Sequence, residues 1–204
     1  WIYSHPAGVK IDELENYDIV CAASDHHAEL LRNTLNRPVF TLLQCTDLEM
    51  FPLPDISRRR NGIVFVGNTR GIPRPCVKWA VDYGVPVKLW GRGWSRYIDT
   101  KYVMGDYIDN VDLGKLYSES LFTLNDHWND MNKLGYVNNR IYDAMACGLP
   151  IITDYHDALF QKFPEELLYF RDRKSFELCI DRISENYQSY KSMIYGINDI
   201  IRSE

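Results

Sequence analysis

Asn125, Asp126 and His127 stand consecutively just past an apolar run, Leu121-Phe122-Thr123-Leu124, and Trp128, Asn129, Asp130, Asn132 and Tyr136 continue the polar, aromatic stretch. An apolar core would not accept such a row at a strand end, whereas the hydroxyls of a sugar would. Asn139, Arg140 and Asp143 then occupy the first turns of a helical pattern over residues 139–147, which Gly148 and Pro150 stop. A helix N-terminus offers unpaired N–H groups and a partial positive charge, so a phosphate fits there. Asp143 is suited to accept from two vicinal hydroxyls, as a ribose presents, while Arg140 holds a diphosphate. The alternative is an intrahelical Arg140–Asp143 pair with no ligand. His127 with Asp126 and Asp130 also raises a metal, but no second His or Cys stands at ligand spacing, and none is expected.

Three shorter turns add candidates. Gly67-Asn68-Thr69-Arg70-Gly71 follows Val66; its glycines permit close backbone approach and Arg70 is suited to bidentate phosphate contacts, with Asn68 beside it. It is neither GxGxxG nor a P-loop, and an ordinary turn is the alternative. Gly91-Arg92-Gly93-Trp94 follows Trp90 and reads either as a turn with Trp94 in the core or as a ligand contact. Gly105-Asp106-Tyr107 offers a ring on which a flat base can stack.

Such residues need a scaffold that brings strand ends to one edge. Apolar runs predict strands over residues 19–22, 39–43, 63–66, 85–90, 101–104, 121–124, 150–153 and 167–170. Helical patterns separate most of them, over residues 25–35, 74–83, 111–117, 139–147, 158–162 and 175–185. Ser24 or Asp25 caps the first. Residues 188–201 carry Met193, Ile194, Ile197, Ile200 and Ile201 at helical spacing. The alternation predicts an α/β fold: a Rossmann-like, mostly parallel sheet with helices on both faces. Residues 46–60 mix Pro, Asp and Arg without periodicity and mark a boundary, between residues 1–52 and a nucleotide-binding domain over residues 53–204.

The 204 residues are 46% hydrophobic and 25% charged, the composition of a folded chain able to bury a core. A net charge of −5 argues against nucleic acid as a partner. Arg58-Arg59-Arg60, the one basic run, reads as a solvated linker in preference to a membrane or acidic-partner contact. Five scattered cysteines without a CxxC pair indicate a reducing compartment. No apolar run reaches membrane-spanning length, so no transmembrane segment is expected; a cytoplasmic location follows, the membrane periphery being the alternative.

The series Val64-Phe65-Val66-Gly67-Asn68, Trp90-Gly91-Arg92-Gly93-Trp94, Gly105-Asp106-Tyr107, Leu124-Asn125-Asp126-His127-Trp128-Asn129-Asp130-Met131, Gly135-Tyr136-Val137 and Asn139-Arg140-Ile141-Tyr142-Asp143-Ala144-Met145-Ala146-Cys147-Gly148 resembles the C-terminal, nucleotide-sugar-binding half of GT-B glycosyltransferases. Within these it is most similar to group 1, family-4-like enzymes of the spore-maturation-protein type, over residues 62–181. Residues before Phe51 resemble the end of the N-terminal lobe and its linker. The resemblance implies transfer of a sugar from a nucleotide-diphosphate donor to a glycan or other acceptor, with no cofactor and no divalent metal, because basic side chains and a helix terminus neutralise the leaving diphosphate. It places Asp143 at the ribose, Arg70 and Arg140 near the diphosphate, and Tyr107 in the base-contacting loop; Asn68 and Asn139 are also expected at the nucleotide and diphosphate. Many such enzymes carry a second carboxylate eight residues before the ribose-binding one. Here that position is Gly135; Asp126, His127 or Tyr136 is the expected substitute, and these three with Trp128 are expected beside the donor sugar. Most of an N-terminal lobe is lacking, so a fragment of a longer enzyme is expected, with no catalytic base assigned; His5 reads as a turn residue. The competing expectations are a catalytically silent GT-B-like interaction domain and a nucleotide-sugar epimerase or phosphorylase.

Overall fold

The computed structural model describes the backbone of residues 1–203 and the side chains of residues 1–198. In chain order the elements are α1 (Ile11–Leu14), β1 (Val20–Ala22), α2 (Asp25–Arg32), β2 (Val39–Thr41), β3 (Ile63–Val66), α3 (Pro75–Asp82), β4 (Val87–Trp90), β5 (Val103–Gly105), α4 (Asn110–Glu119), β6 (Phe122–Asn125), α5 (Asn129–Lys133), α6 (Asn139–Ala146), β7 (Ile151–Asp154), α7 (Asp157–Lys162), β8 (Leu168–Phe170), α8 (Arg173–Glu185) and α9 (Tyr187–Ser203). They group into two compact units. One comprises Trp1–Cys45, His127–Asn139 and His156–Lys162; the other comprises Thr46–Asp126, Arg140–Tyr155 and Phe163–Glu204. Residues 127–139 and 156–162 thus cluster with the N-terminal segment.

The larger unit holds a parallel sheet in the order β5-β4-β3-β6-β7-β8. Strands of such a sheet are covered on both faces, which is why Ile63-Val64-Phe65-Val66 is apolar throughout and all four residues of β6 are buried. The chain starts in the middle at β3, works outward through β4 and β5, returns to the centre at β6 and works outward again through β7 and β8. Phe65, Val77, Leu89, Trp94, Leu124, Ile152, Phe170 and Phe176 belong to one core cluster.

α6 ends as its sequence requires. Gly148 N–H donates to Met145 O (2.8 Å) and Leu149 N–H to Ala144 O (2.9 Å), a Schellman pair, and Pro150 prevents continuation. Three of its last carbonyls also receive side-chain donors. Arg60 Nη2 reaches Cys147 O at 2.7 Å, and Asn198 Nδ2 reaches Met145 O at 2.6 Å and Ala146 O at 3.2 Å. Arg60 is therefore buried, with its guanidinium against the Tyr195 ring, rather than solvated in a linker. A cation at the negative end of a helix explains the placement. Ile194 and Ile197 of α9 are buried as their spacing predicts, while the side chains of Ile200 and Ile201 lie outside the described residues.

The smaller unit pairs β1 with β2 in parallel and packs Ile2, Leu14, Val20, Ala22, Ala28, Leu31, Val39, Met131 and Tyr136 together. Ser24 caps α2 by accepting from His27 N–H at 3.1 Å, and the same hydroxyl donates to Leu134 O at the end of α5. The stretch read as loop after β6 therefore contains a helix, and Gly135 is its stop signal. Gly135 N–H donates to Asn132 O (3.2 Å), Tyr136 N–H to Met131 O (2.8 Å), and Tyr136 and Met131 share the core, the three features of a Schellman cap. Gly135 has φ +75°, and a Cβ there would stand 2.9 Å from Ser24 Oγ. Gly135→Ala is expected to lower stability by about 1–3 kcal/mol in urea unfolding, from the left-handed backbone and the Ser24 contact together. Gly196→Ala, at a helical glycine with open space around it, is the control and is expected to be neutral or stabilising. Equal effects at the two positions would refute the cap.

His27 Nδ1 lies 2.6 Å from the Tyr136 hydroxyl. Burial, with the neighbouring His26 charge, holds the His27 imidazole below its ordinary value of 6.5. Below that value the unfolded chain binds a proton that the folded chain resists, so stability increases with pH up to about 6.5 and then levels off. Urea midpoints measured between pH 5 and 8 are expected to fall on acidification less steeply for His27→Gln than for the wild type; parallel profiles would contradict this.

Candidate functional site

In the larger unit the turns after β3 and β4 are tied together. Asn68 Oδ1 accepts from Arg92 N–H (2.7 Å), Thr69 N–H donates to Arg92 O (3.1 Å), and Gly67 O accepts from Trp94 Nε1 (2.9 Å). The backbones approach so closely that a Cβ on Gly91, at φ +136°, would fall 2.2 Å from Gly67 O. Of the two expectations for Trp94 the core one is met, since the ring is 1% exposed against Phe65. Asn68 and Arg70 remain exposed, and Arg70 has φ +49°, a left-handed conformation that a side-chain-bearing residue adopts at a cost. Tyr107, past β5, is 74% exposed, an open ring at the same rim.

The end of β6 carries an arrangement that sequence reasoning missed. Arg74, the residue before Pro75 at the start of α3, directs Nε to both carboxylate oxygens of Asp126 at 2.9 Å, and Nη2 to Asp126 O at 3.0 Å and to Oδ1. Both side chains are about nine-tenths buried. Burial works against the Arg74 charge, but Asp126 outweighs it and raises the guanidinium pKa, while burial foremost pushes the adjacent Cys76 thiol well up. Asp126, expected beside a donor sugar, thus spends its carboxylate on Arg74. A cation in an R-P-C sequence just after an exposed turn is the available signal, and on sequence alone it marks only a helix start. Asn125 Nδ2 donates to Thr153 Oγ1 at 3.0 Å, so Asn125 is a ladder residue within the sheet.

In α6, Asn139 is exposed, Arg140 is half-buried and Asp143 is 2% exposed. Arg140 Nη1 stands 3.1 Å from Asp143 Oδ2, and Thr46 Oγ1 donates to Asp143 Oδ1 at 2.9 Å. Burial raises the Asp143 pKa, against the Thr46 hydrogen bond and the Arg140 charge. The intrahelical pair exists, and it leaves Arg140 with further N–H donors from its guanidinium.

The remaining predicted residues, His127, Trp128 and Tyr136, belong to the smaller unit, and His127 and Tyr136 are packed inward. His127 is 8% exposed, its ring 4.7 Å from that of the fully buried His156. Trp128 is half-buried and precedes α5, its ring 6.2 Å from His5. Tyr136 is 0% exposed; its hydroxyl meets His27 and its carbonyl lies 3.2 Å from His156 Nε2. The α5 cap turns the Tyr136 ring into the core. Nor is a carboxylate accommodated at position 135, where backbone and Ser24 both exclude a side chain. Among the described residues no group of three or more His, Cys, Asp or Glu is arranged to hold a metal ion, and no helix is long and apolar enough to cross a membrane.

What the larger unit presents is therefore a parallel sheet edge with exposed Asn68, Arg70 and Tyr107, a buried Arg74–Asp126 clamp, and a helix whose first turns carry Arg140 and Asp143. Such an edge suits a ligand with an anionic middle and a flat end.

Solved structures share this architecture. Sucrose-phosphate synthase from Thermosynechococcus elongatus aligns with 99% of the chain at 18% identity and TM-score 0.68. The Anabaena protein HepE, solved in complex with UDP and glucose, aligns with 98% at 13% identity and TM-score 0.66. WaaG, a glycosyltransferase involved in lipopolysaccharide biosynthesis, aligns with 89% at 9% identity and TM-score 0.63. The matched portions are 59%, 64% and 58% of those proteins, so the chain spans about three fifths of their length. No curated protein matches the sequence. The likeness shows the fold, the mostly parallel α/β architecture of GT-B glycosyltransferases. The glycosyl transferase-like family itself matches over residues 72–197, which includes β4 to β8 and every helix from α3 to α8. On that match the chain belongs to the glycosyl transferase-like family.

Proposed function

We propose that the chain binds the nucleotide diphosphate of a sugar donor at the strand-end edge of its larger unit, and that it serves, as part of a longer enzyme, the transfer of that sugar to a glycan or other acceptor. The observation that carries this is the reversal of strand order between β3 and β6, with Asn68 and Arg70 exposed past one strand and Asp126 held by Arg74 past the other. In open parallel sheets ligands collect at such a reversal. Arg70 and Arg140 are assigned to the diphosphate, Asn68 and Asn139 to polar contacts beside it, Tyr107 to the base and Asp143 to the ribose. The complex of HepE with UDP and glucose supports the ligand class. The motif series from Val64 to Gly148 supports placing the chain in the spore-maturation-protein-like branch. Transfer without a divalent metal is part of the proposal, since arginines and the α6 N-terminus supply the positive charge.

A second reading has its own support. Gly135 admits no side chain and Tyr136 is turned inward, so neither offers an exposed side chain to a donor sugar. A nucleotide-binding domain without transfer would look the same. Calorimetry of the chain with UDP-, GDP- and dTDP-linked sugars is expected to show saturable binding of one of them, insensitive to EDTA and weakened about tenfold or more by Arg140→Ala. No binding of any would sink the proposal, and a large loss in EDTA would sink its metal-independent part. Binding to the full-length protein without any sugar transfer or isomerisation, followed by mass spectrometry of products, would favour the silent domain.

A further inference from the structure

Arg171 follows β8 directly, and its guanidinium carbon lies 3.3 Å from the centroid of the Tyr155 ring, a face-on stack. Tyr155 itself follows β7, and its N–H donates to Phe170 O at 2.7 Å. The platform is fixed from both sides. Tyr169 packs edge-on against Tyr155 at 6.0 Å and anchors its own hydroxyl on Phe163 O at 2.8 Å. The Arg171 N–H donates to Ser175 Oγ at 3.0 Å, within the capping box that starts α8. Arg171 is nevertheless exposed, and among the described residues no carboxylate forms an ion pair with it. The two acids next to this pair in sequence are engaged elsewhere: Asp172 accepts from Ser175, and Asp154 accepts from Thr153 Oγ1 at 3.1 Å.

Stacking uses the π face of a guanidinium and leaves its in-plane donors available, in the fork geometry that suits a carboxylate or a phosphate. An arginine held flat on a ring also loses less freedom when an anion arrives. β8 lies two strands from β6 in the sheet, about 10 Å away, with its C-terminal end at the same edge as the proposed nucleotide surface. That distance places Arg171 beyond the proposed diphosphate position, on the side away from Tyr107.

We infer that Arg171, mounted on Tyr155, is an anion-recognising residue for a carboxylate or phosphate on the sugar-side partner, carried either by the transferred sugar or by the acceptor. As a specificity assignment this rests on the nucleotide-sugar reading above. The measurement is a pair of affinity ratios on the chain, one by calorimetry for UDP-glucuronate against UDP-glucose, the other by NMR titration for glucose 1-phosphate against glucose without nucleotide. At least one ratio is expected to favour the anion by about tenfold or more. Arg171→Gln and Tyr155→Leu are expected to bring that ratio close to one, while Tyr155→Phe, which keeps the ring, preserves it. A preference confined to the first pair assigns the anion to the transferred sugar, and one seen in the second assigns it to a phosphorylated partner. Ratios that are the same in Arg171→Gln as in the wild type, in both pairs, overturn the inference. Should no nucleotide bind at all, the functional reading fails, and the second pair alone decides Arg171.

Discussion

Two neighbouring parallel strands whose crossovers leave in opposite directions cannot both have their C-terminal ends covered by their own connections, and β3 and β6 are such a pair. Asn68, Arg70, Arg74 and Asp126 are arranged around that constraint. The end of β3 gives the exposed turn with Asn68 and Arg70, laced to the turn after β4 by backbone contacts that only glycine permits at position 91. The end of β6 gives Asp126, a carboxylate too buried to remain unpaired. Arg74 meets it at two oxygens and also takes its carbonyl, which is the geometry that lets an ion pair survive burial. Removing either partner would strand the other charge. The clamp is therefore a condition for keeping the edge polar and still folded.

The smaller unit shows the opposite economy. Three of its histidines and Tyr136 are polar groups used for packing: Tyr136 against His27, His156 on the Tyr136 carbonyl, His127 on His156. The pivot is Gly135. Because α5 must end in a left-handed residue whose successor turns back onto Met131, position 135 loses its side chain and position 136 loses its exposure in the same step. A carboxylate missing from the sequence is thus no isolated substitution. It is the local consequence of a helix placed where a loop was expected.

Much of the fold was legible because apolar runs and their spacing are direct consequences of burial on two faces of a parallel sheet. β3 was read to the residue, and Gly148 with Pro150 marked the end of α6 correctly. What escaped were features decided by tertiary geometry. Arg60 reads as one of three solvated cations until the last carbonyls of α6 are placed beside it. Arg74 looks like a helix start because nothing local names Asp126, 52 residues away, as its partner. α5 escaped because five residues rich in Asn and Asp carry little helical periodicity. There the glycine at 135 was the informative residue, and it was read for the side chain it lacks instead of the turn it makes.

The Arg140–Asp143 pair joins these threads. From the sequence it stood as the alternative to a nucleotide grip, as though the two excluded each other. In the structure one Arg140 nitrogen meets one Asp143 oxygen, and Thr46 takes the other oxygen. A guanidinium has five N–H donors, so a single contact orients Arg140 without exhausting it. Asp143 is the more constrained member: it is nearly fully buried, and burial raises its pKa even with two partners. Its first role is to hold Arg140 at the start of α6, where the helix dipole and the arginine charge add. A ribose contact by Asp143 would require exchange of the Thr46 hydroxyl for a ligand hydroxyl, a swap of like for like. A diphosphate contact by Arg140 would require no exchange, which makes the arginine the stronger of the two proposed assignments.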